Sequence, residues 1–293
     1  MPKKDLAIIT VSWNISELIA EQMRSVVSGC KHTSWEYFLV DNGSTDNSVS
    51  IAQSVATEFP DASFTILPQH KNLGFGAANN LALEKTDAEF VLFLNPDMRV
   101  LPGTLDTIVA WMREHKEVGI VSPKLLDEHG AVNYDAMPRR FPKLWEQVGL
   151  ILKAPHVFPQ MLHGYLMKGF DVDKEQAVDS VRGSFMLMRR EFLNKTGWAF
   201  DPRFFIWYED VDICREAYRH GFTVMYTPAI SCIDYVGQSF KKQDTLTKQK
   251  LFTASMLTYF QKWEPWYVWM WIALFRPVGM SLAWLGDMVR KKR

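Results

Sequence analysis

The first 121 residues alternate between short apolar runs and amphipathic segments, and this alternation constrains the fold more than any other feature. Short apolar runs are typical of strands buried on both faces, and apolar side chains every three or four residues are typical of helices. Turn sequences such as Asp-Asn-Gly-Ser separate these segments. The pattern predicts strands at 6–11, 37–40, 64–67, 90–94 and 118–121, and helices at 16–28, 48–58, 77–85 and 102–115.

Strands that alternate with helices of this length predict βαβ units. The expected fold class is therefore α/β, with a mostly parallel, Rossmann-like sheet covered by helices on both faces. The second half is less regular. Residues 127–179 predict a long, partly looped excursion near a binding face, followed by strands at 181–189 and 223–226 and a helix at 211–220.

Charge and cysteine content exclude several classes of protein. The chain has 33 Lys and Arg against 33 Asp and Glu, so a general nucleic-acid binder is not expected. Three widely spaced cysteines form no CxxC pair, which argues against a disulfide framework or a zinc ribbon and favours a reducing compartment. The apolar stretch in the first residues is too short for a signal peptide. We therefore expect a cytoplasmic protein.

Polar residues follow three of the predicted strands. Ser12 and Asn14 come after the first strand, Asp41 after the second, and Asn95 and Asp97 after the fourth. Ligands of α/β sheets bind at the carboxyl ends of the strands, so these residues predict a single crevice. Each cluster alone is better explained as a turn, and the hypothesis rests on their coincidence.

Asp97 follows a fully apolar run, which places its carboxylate at the rim of a dry sheet. Mg²⁺ and Mn²⁺ bind through one or two protein carboxylates together with substrate phosphates. Asp97 is therefore a candidate ligand for either ion, which would neutralise a departing diphosphate.

Two further segments contain candidate binding residues. The segment from Asn72 to Asn79 contains a Gly-x-Gly turn, but Asn79 stands where a dinucleotide site requires a third glycine. The turn could still bring backbone N–H groups close to a phosphate or sugar. Glu209 and Asp210 stand just before a predicted helix, where acids also serve as caps. The aromatic residues beside them favour a sugar site with a proton acceptor instead.

Six segments in this order resemble family 2 glycosyltransferases of the GT-A fold, most closely the rhamnosyltransferase-like branch of bacterial surface-polysaccharide synthesis. They are TVSWN, VDNGSTDNS, NLGFGAANN, FLNPDM, GSFMLMRREFL and FFIWYEDVDICREAYRHG. The resemblance covers roughly residues 5–240. It implies an inverting enzyme in which the acceptor hydroxyl displaces the nucleotide from the anomeric carbon.

The resemblance also implies roles for individual residues. Asp41 would contact the nucleobase, and the other donor-binding positions are Ser12, Asn14, Asn72, Gly74, Asn79 and Asn95. Asp97 would bind the metal, Asp210 would be the general base, and Glu209 would orient it or the acceptor.

One position departs from the family pattern. The family often has a metal-binding His before a Gly-x-Ser, and aligning Gly237 and Ser239 with that pattern puts Asp234 at the His position. Asp also binds Mg²⁺, so Asp234 is a second candidate metal ligand.

The division we expect is a GT-A domain at 1–240, with a nucleotide-sugar half at 1–125 and an acceptor half at 126–240. A helical, Trp-rich tail at 241–293 would follow. Residues 265–286 are long and apolar enough to span a bilayer, but Arg276 in the middle argues against a span. The tryptophans and the basic end at 290–293 favour an interfacial helix on an anionic membrane. The alternatives are a helix packed on the domain or a homodimer contact.

The resulting prediction is a metal-dependent inverting glycosyltransferase, peripheral on the inner face of the bacterial inner membrane. It would transfer a sugar, with dTDP-rhamnose the leading donor, to a lipid-linked or oligosaccharide acceptor in polysaccharide synthesis. Two alternatives stay open. The donor could be UDP-galactose, UDP-glucose or UDP-N-acetylglucosamine, or the chain could be a non-catalytic subunit that binds sugar nucleotides.

Overall fold

A computed structural model of the chain describes residues 3–235 and 244–291. The strands are β1 (Leu6–Ser12), β2 (Trp35–Asp41), β3 (Phe64–Pro68), β4 (Phe90–Leu94), β5 (Met98–Val100), β6 (Val118–Leu126), β7 (Gln176–Ala177), β8 (Phe185–Arg189) and β9 (Thr223–Asp234). The helices are α1 (Ser16–Gly29), α2 (Ser48–Glu58), α3 (Phe75–Leu83), α4 (Thr104–Glu114), α5 (Leu144–Ile151), α6 (Arg190–Thr196), α7 (Glu209–Arg219), α8 (Thr245–Trp263) and α9 (Trp266–Lys291).

The described strands form one sheet in the order β3-β2-β1-β4-β8-β6-β9-β5, with β7 paired to β9. The α/β class is confirmed. The first four strands are parallel, as the alternating pattern predicts. The second half makes the sheet mixed, because β8 runs antiparallel to both β4 and β6. Parallel pairing requires a crossover connection, which is usually a helix. The chain instead enters β8 from the long excursion.

Helices cover both faces of the sheet, as predicted. Strand β4 shows why its sequence is uniformly apolar. Phe90, Leu92 and Leu94 pack into a core with α1, α2 and α4, whereas Val91 and Phe93 pack into a second core with α3, α6 and α7. Successive side chains of a strand point to opposite faces, so a strand between two cores has no polar positions.

Three predictions in the second half need correction. The excursion at 127–179 contains the regular helix α5, which the sequence pattern did not indicate. The strand predicted at 181–189 begins only at Phe185, and the short strand predicted at 223–226 continues to Asp234. Its partner β6 also continues past the predicted end at 121, to Leu126, and the pairing of the two strands resumes after a register shift at Pro123.

Helix α7 also begins earlier than predicted. Glu209 and Asp210 form its first turn and do not precede it. Both side chains are therefore fixed by the orientation of α7.

The C-terminal helices α8 and α9 pack against α5 and the start of α7 in a third core. The contact between α5 and α9 is close, since a Cβ at Gly279 would lie 2.6 Å from Ile151 Cγ2. Within the described chain, one helical segment, Trp266–Met288, is long and apolar enough to cross a membrane by length and composition. The Gly237–Ser239 motif and the side chains of the basic end at 290–293 lie outside the described residues. The division at residue 240 stays a prediction.

Candidate active site

A cavity of about 300 Å³ lies where the carboxyl ends of β1 and β4 meet the first turn of α7. The residues that line it come from the sheet edge, the excursion and the loop before α7. They are Val11, Trp13, Asn42, Asn72, Gly74, Phe75, Asn95, Pro96, Asp97, Asn133, Asp135, Ala136, Arg182, Gly183, Ser184, Phe205, Ile206, Trp207, Glu209, Asp210 and Asp234.

The cavity brings together seven of the eleven residues predicted for the site. These are Asn72, Gly74, Asn95, Asp97, Glu209, Asp210 and Asp234. They come from segments more than a hundred residues apart in sequence, which the sheet and α7 bring to one place. The roles predicted for them stay predictions.

The other four predicted residues do not line the cavity and are held in hydrogen bonds next to it. Ser12 Oγ donates to Asp41 Oδ1 at 3.2 Å, and both side chains are buried. Asn14 Oδ1 accepts from the Thr45 backbone N–H at 2.8 Å. Asn79 Nδ2 donates to the Phe75 carbonyl within α3 at 2.9 Å. In this conformation these residues fix the loops beside the cavity.

Gly74 joins the two halves of the site. Its φ of +86° lies in the region that favours glycine, and a Cβ there would lie 2.6 Å from the Phe205 carbonyl oxygen. The same carbonyl accepts a hydrogen bond from Phe75 N–H at 2.8 Å. A side chain at position 74 would therefore separate the Gly-x-Gly turn from the loop before α7.

Asp97 and Asp234 lie on neighbouring segments of the sheet edge. Met98 pairs with Asp234 in the β5–β9 ladder, and Tyr235 N–H donates to the Asp97 carbonyl at 3.0 Å. Both carboxylates line the cavity and are less than a tenth exposed. No set of three or more His, Cys, Asp or Glu residues with metal-binding geometry occurs within residues 3–235 and 244–291. Two carboxylates fit an ion that takes its remaining ligands from substrate phosphates and water.

Asp210 is fixed by backbone donors on both oxygens. Oδ2 accepts from Gly183 N–H at 3.2 Å, and Oδ1 accepts from Val211 N–H at 2.8 Å. Since Gly183 also lines the cavity, the carboxylate lies at the boundary between protein and ligand space.

Glu209 is in a different environment from Asp210. Its side chain is buried, and its Oε2 has no hydrogen-bond partner among the described residues. Burial, and then the negative charge of Asp210, raise the pKa of Glu209 well above its ordinary value. The buried environment of Glu209 therefore favours the protonated form of its carboxyl group.

The loop before α7 has a strained backbone. Trp207 and Tyr208 have consecutive positive φ values of +66° and +68°. Such conformations cost about 1–3 kcal/mol each and persist only where neighbours enforce them. Here Ser255 Oγ of α8 donates to the Ile206 carbonyl at 2.7 Å, and the Tyr208 hydroxyl donates to Gln147 Oε1 of α5 at 2.6 Å.

A buried ion cluster holds α8 against α7. Lys262 Nζ lies 2.7 Å from Asp212, 2.9 Å from Glu216 and 3.1 Å from Asp201. Trp263 Nε1 donates to the other Asp212 oxygen at 2.7 Å. Burial raises the pKa of Asp212 to about 6, although Lys262 acts in the opposite direction.

Several lining residues were not predicted. Trp13 and Asn42 stand inside motifs that were recognised, next to the residues that were selected. Arg182 and Ser184 precede β8, in a segment that the sequence pattern predicts to be strand. Asn133 and Asp135 lie in the excursion, where only the general expectation of a nearby binding face applied.

The family model described as "Glycosyl transferase family 2" matches residues 7–197. An N-acetylglucosaminyl-diphospho-decaprenol L-rhamnosyltransferase of Mycobacterium tuberculosis is 27% identical over 214 residues, which are 69% of this chain and 66% of that protein. Rhamnosyltransferase WbbL of Escherichia coli is 28% identical over 170 residues, or 55% and 61% of the two chains. The matches thus span just under two thirds of these relatives.

Solved structures share the fold at low sequence identity. The mannosyltransferase PcManGT from Pyrobaculum calidifontis, in complex with GDP-Man and Mn²⁺, superposes with a TM-score of 0.60 at 18% identity. The match covers 96% of this chain and 73% of that one. S. aureus TarS 1-349 in complex with UDP gives a TM-score of 0.53 at 17% identity, covering 87% and 65%. At these identities the likeness concerns the fold alone.

Proposed function

The chain belongs to glycosyl transferase family 2, and on that premise we propose that it transfers a sugar from a nucleotide donor to a glycan acceptor with inversion at the anomeric carbon. One observation carries the proposal. Asp97 at the sheet edge and Asp210 on α7 line the same cavity, so an ion-binding carboxylate and a proton acceptor can contact one substrate complex.

In the reaction we propose, Asp210 accepts the proton of an acceptor hydroxyl as its oxygen forms a bond to the anomeric carbon. The bond from that carbon to the nucleoside diphosphate breaks on the opposite face. The backbone donors at Gly183 and Val211 fix the orientation of the Asp210 carboxylate. A fixed base within reach of the hydroxyl contributes about 10²–10⁴ to the rate.

Asp97 and Asp234 would hold a Mg²⁺ or Mn²⁺ ion, which would supply positive charge to the diphosphate of the donor. The proposal is supported by the oxygen-only donor set and the shared strand edge. These carboxylates are distinct from Asp210, so one side of the cavity would bind the leaving group and the other would activate the acceptor.

The names of the relatives suggest the substrates. Two of them are called rhamnosyltransferases, and one name specifies an N-acetylglucosaminyl diphosphate lipid as acceptor. We therefore propose dTDP-rhamnose as the first donor to test, with UDP-hexoses next, and a lipid-linked sugar as the acceptor.

The decisive experiment measures donor binding and sugar transfer separately. Asp210→Asn should bind the nucleotide sugar normally and lose about 10²–10⁴ of the transfer rate. Asp97→Asn should lose the dependence on added Mg²⁺ or Mn²⁺ together with activity. The matched control is Asp61→Asn, which neutralises an exposed carboxylate outside the cavity. Wild-type transfer by Asp210→Asn would refute the base, and failure of wild type to bind any nucleotide sugar would refute the function.

We also propose that α9 lies on a membrane surface at the cytoplasmic face. Large apolar residues about one helical turn apart form an exposed stripe on α9: Met270, Leu274, Val278, Leu282 and Leu285. The opposite face packs on the protein through Ile272 and Ala283. Arg276 points to that packed face, where its Nε donates to Thr253 Oγ1 at 3.2 Å, so it does not interrupt the stripe. A helix packed along one face and apolar on the other is suited to an interface.

Vesicle binding tests this placement. Leu274→Glu with Leu282→Glu should reduce co-sedimentation with phosphatidylethanolamine–phosphatidylglycerol vesicles. The control, Thr247→Glu with Gln261→Glu, adds the same charge at exposed polar positions of α8. Equal loss in both variants would indicate a charge effect alone, and no loss in either would refute the membrane face.

A further inference from the structure

A second, smaller cavity of about 80 Å³ lies behind Asp210, on the side of α8. Its walls combine two arginines with several aromatic rings: Arg139, Tyr165, Ser180, Val181, Arg182, Trp207, Tyr208, Asp210, Val211 and Phe252. Arg182, Trp207 and Asp210 also line the main cavity. These three side chains therefore form the boundary between the two spaces, and a substrate held at Asp210 can extend into both.

Arg139 contributes a buried positive charge, and no carboxylate within residues 3–235 and 244–291 forms an ion pair with it. Its guanidinium donates hydrogen bonds to the backbone carbonyls of Met137 and Asp135, at 2.8 and 2.7 Å. Burial, and then the charge of Arg182, lower the pKa of Arg139. Two like charges thus lie near each other across a small cavity.

Arg182 is the member of the pair that can contact a ligand. Its side chain is exposed, and within residues 3–235 and 244–291 it makes no ion pair or side-chain hydrogen bond. Asp210 is the carboxylate of this cavity, and both of its oxygens already accept from backbone N–H groups. A guanidinium fork with unused donors beside a second guanidinium suits a phosphate group.

We propose that Arg182, supported by the charge of Arg139, binds the phosphate through which the acceptor sugar is attached to its carrier. The inference rests on the proposed function and names the class of acceptor: a sugar phosphate or diphosphate ester. The donor also contains a diphosphate, so the same chemistry has two sources. We assign the acceptor because Asp97 and Asp234, the proposed partners of the donor diphosphate, line only the main cavity.

The aromatic wall agrees with this assignment. Trp207 stands at the boundary beside Asp210, where a sugar ring carrying the reacting hydroxyl would lie. Phe252 belongs to α8, and its ring packs against the ring of Trp207 with centroids 6.0 Å apart. Helix α8 in turn packs on α9, so the cavity adjoins the helix pair that bears the exposed apolar stripe.

Binding of citronellyl diphosphate, compared with uncharged citronellol, tests the proposal on the full chain. Citronellyl diphosphate contains the phosphate group and a short lipid without a sugar, and isothermal titration calorimetry measures its Kd. Arg182→Gln should weaken citronellyl diphosphate binding about tenfold or more, since it removes charged hydrogen bonds. Citronellol binding and the Kd of the nucleotide donor should stay within twofold of wild type. The control is Arg219→Gln, which removes an exposed arginine from the far end of α7.

Each alternative result has a definite meaning. Weaker donor binding with unchanged citronellyl diphosphate binding would assign Arg182 to the donor and overturn the proposal. Equal weakening of both, or of neither, would also overturn it. If Arg182→Gln unfolds at a lower temperature, Arg182→Lys, which keeps the charge, should restore much of the binding. Absence of nucleotide binding by the wild type would instead refute the proposed function itself.

Discussion

The two sides of the main cavity are built in different ways. The donor side consists of turns at strand ends, which are held by hydrogen bonds between neighbouring loops, such as Asn42 Nδ2 to Asn72 Oδ1 at 3.0 Å. The acceptor side is a strained loop and a helix start, held by side chains of α5 and α8 that are far away in sequence. The first side is specified locally, whereas the second depends on the packing of the C-terminal helices.

The largest expected effect is a loss of folding stability on the acceptor side of the cavity. Lys262→Met leaves the carboxylates of Asp201, Asp212 and Glu216 in a buried cluster without their shared cation. Losing one partner of a buried ion pair costs about 3–5 kcal/mol, which chemical denaturation can measure. The control is Lys250→Met, at an exposed position of the same helix.

The pH dependence of Lys262→Met provides a second check. The folded-state pKa of Asp212 is about 6, above its ordinary value of 3.8, and loss of Lys262 would raise it further. A raised folded-state pKa means that the folded protein binds the proton more tightly than the unfolded chain does. Acidification therefore reduces the destabilisation that the unpaired Asp212 carboxylate causes. The deficit of the variant should shrink as the pH falls towards 4. A deficit that is constant with pH would show that lost packing, and not unpaired charge, causes it.

An intermediate effect is expected on the donor side. Asp41→Asn removes the charge that accepts from Ser12 Oγ at 3.2 Å and from Ser44 N–H at 3.0 Å. Charged hydrogen bonds contribute about 1.5–3 kcal/mol, and here they order the loop beside the cavity, so the Kd of the nucleotide should rise by up to about tenfold. If the two sides are independent, binding of citronellyl diphosphate stays unchanged. A parallel loss of both ligands would show that the sides are coupled.

The smallest effect concerns Glu209, the buried acid at the start of α7. Because burial raises the pKa of Glu209, the wild type loses stability as the pH rises from about 4.5 through the folded-state pKa. The glutamine of Glu209→Gln cannot ionise, so the variant does not lose folding stability in this way as the pH rises. The difference in unfolding free energy should be small in acid and grow in favour of the variant with rising pH. Equal pH profiles of the two proteins would mean that folding does not raise the pKa of Glu209.

The difference between the two sides also explains what the sequence could reveal. Strand β4 was predicted to the residue, since a five-residue apolar run bounded by polar residues is typical of a strand buried on both faces. Helix α5 was missed because its stability comes from partners such as Tyr208 and Gly279, which no local pattern contains. Asp97, Glu209 and Asp210 were predicted because they lie in recognised sequence motifs, and all three line the cavity.

The same reasoning applies to the cavity lining. Ser12 and Asp41 were selected for direct contact, yet in this structure they bond to each other beside the cavity. A sequence motif contains residues that shape a loop as well as residues that contact a ligand, and spacing does not distinguish the two. Arg182 was overlooked because its segment was predicted to be strand, and only its position between two cavities indicates a ligand.

The ion cluster around Lys262 has a consequence for protein engineering. Its members come from the loop before α7, from α7 itself and from α8, so no segment contains the whole cluster. A chimera that grafts the C-terminal helices of another family member onto this chain would have to transfer positions 201, 212 and 216 as well. Swaps that ignore this requirement should leave buried charges unpaired and lower the stability of the chimera.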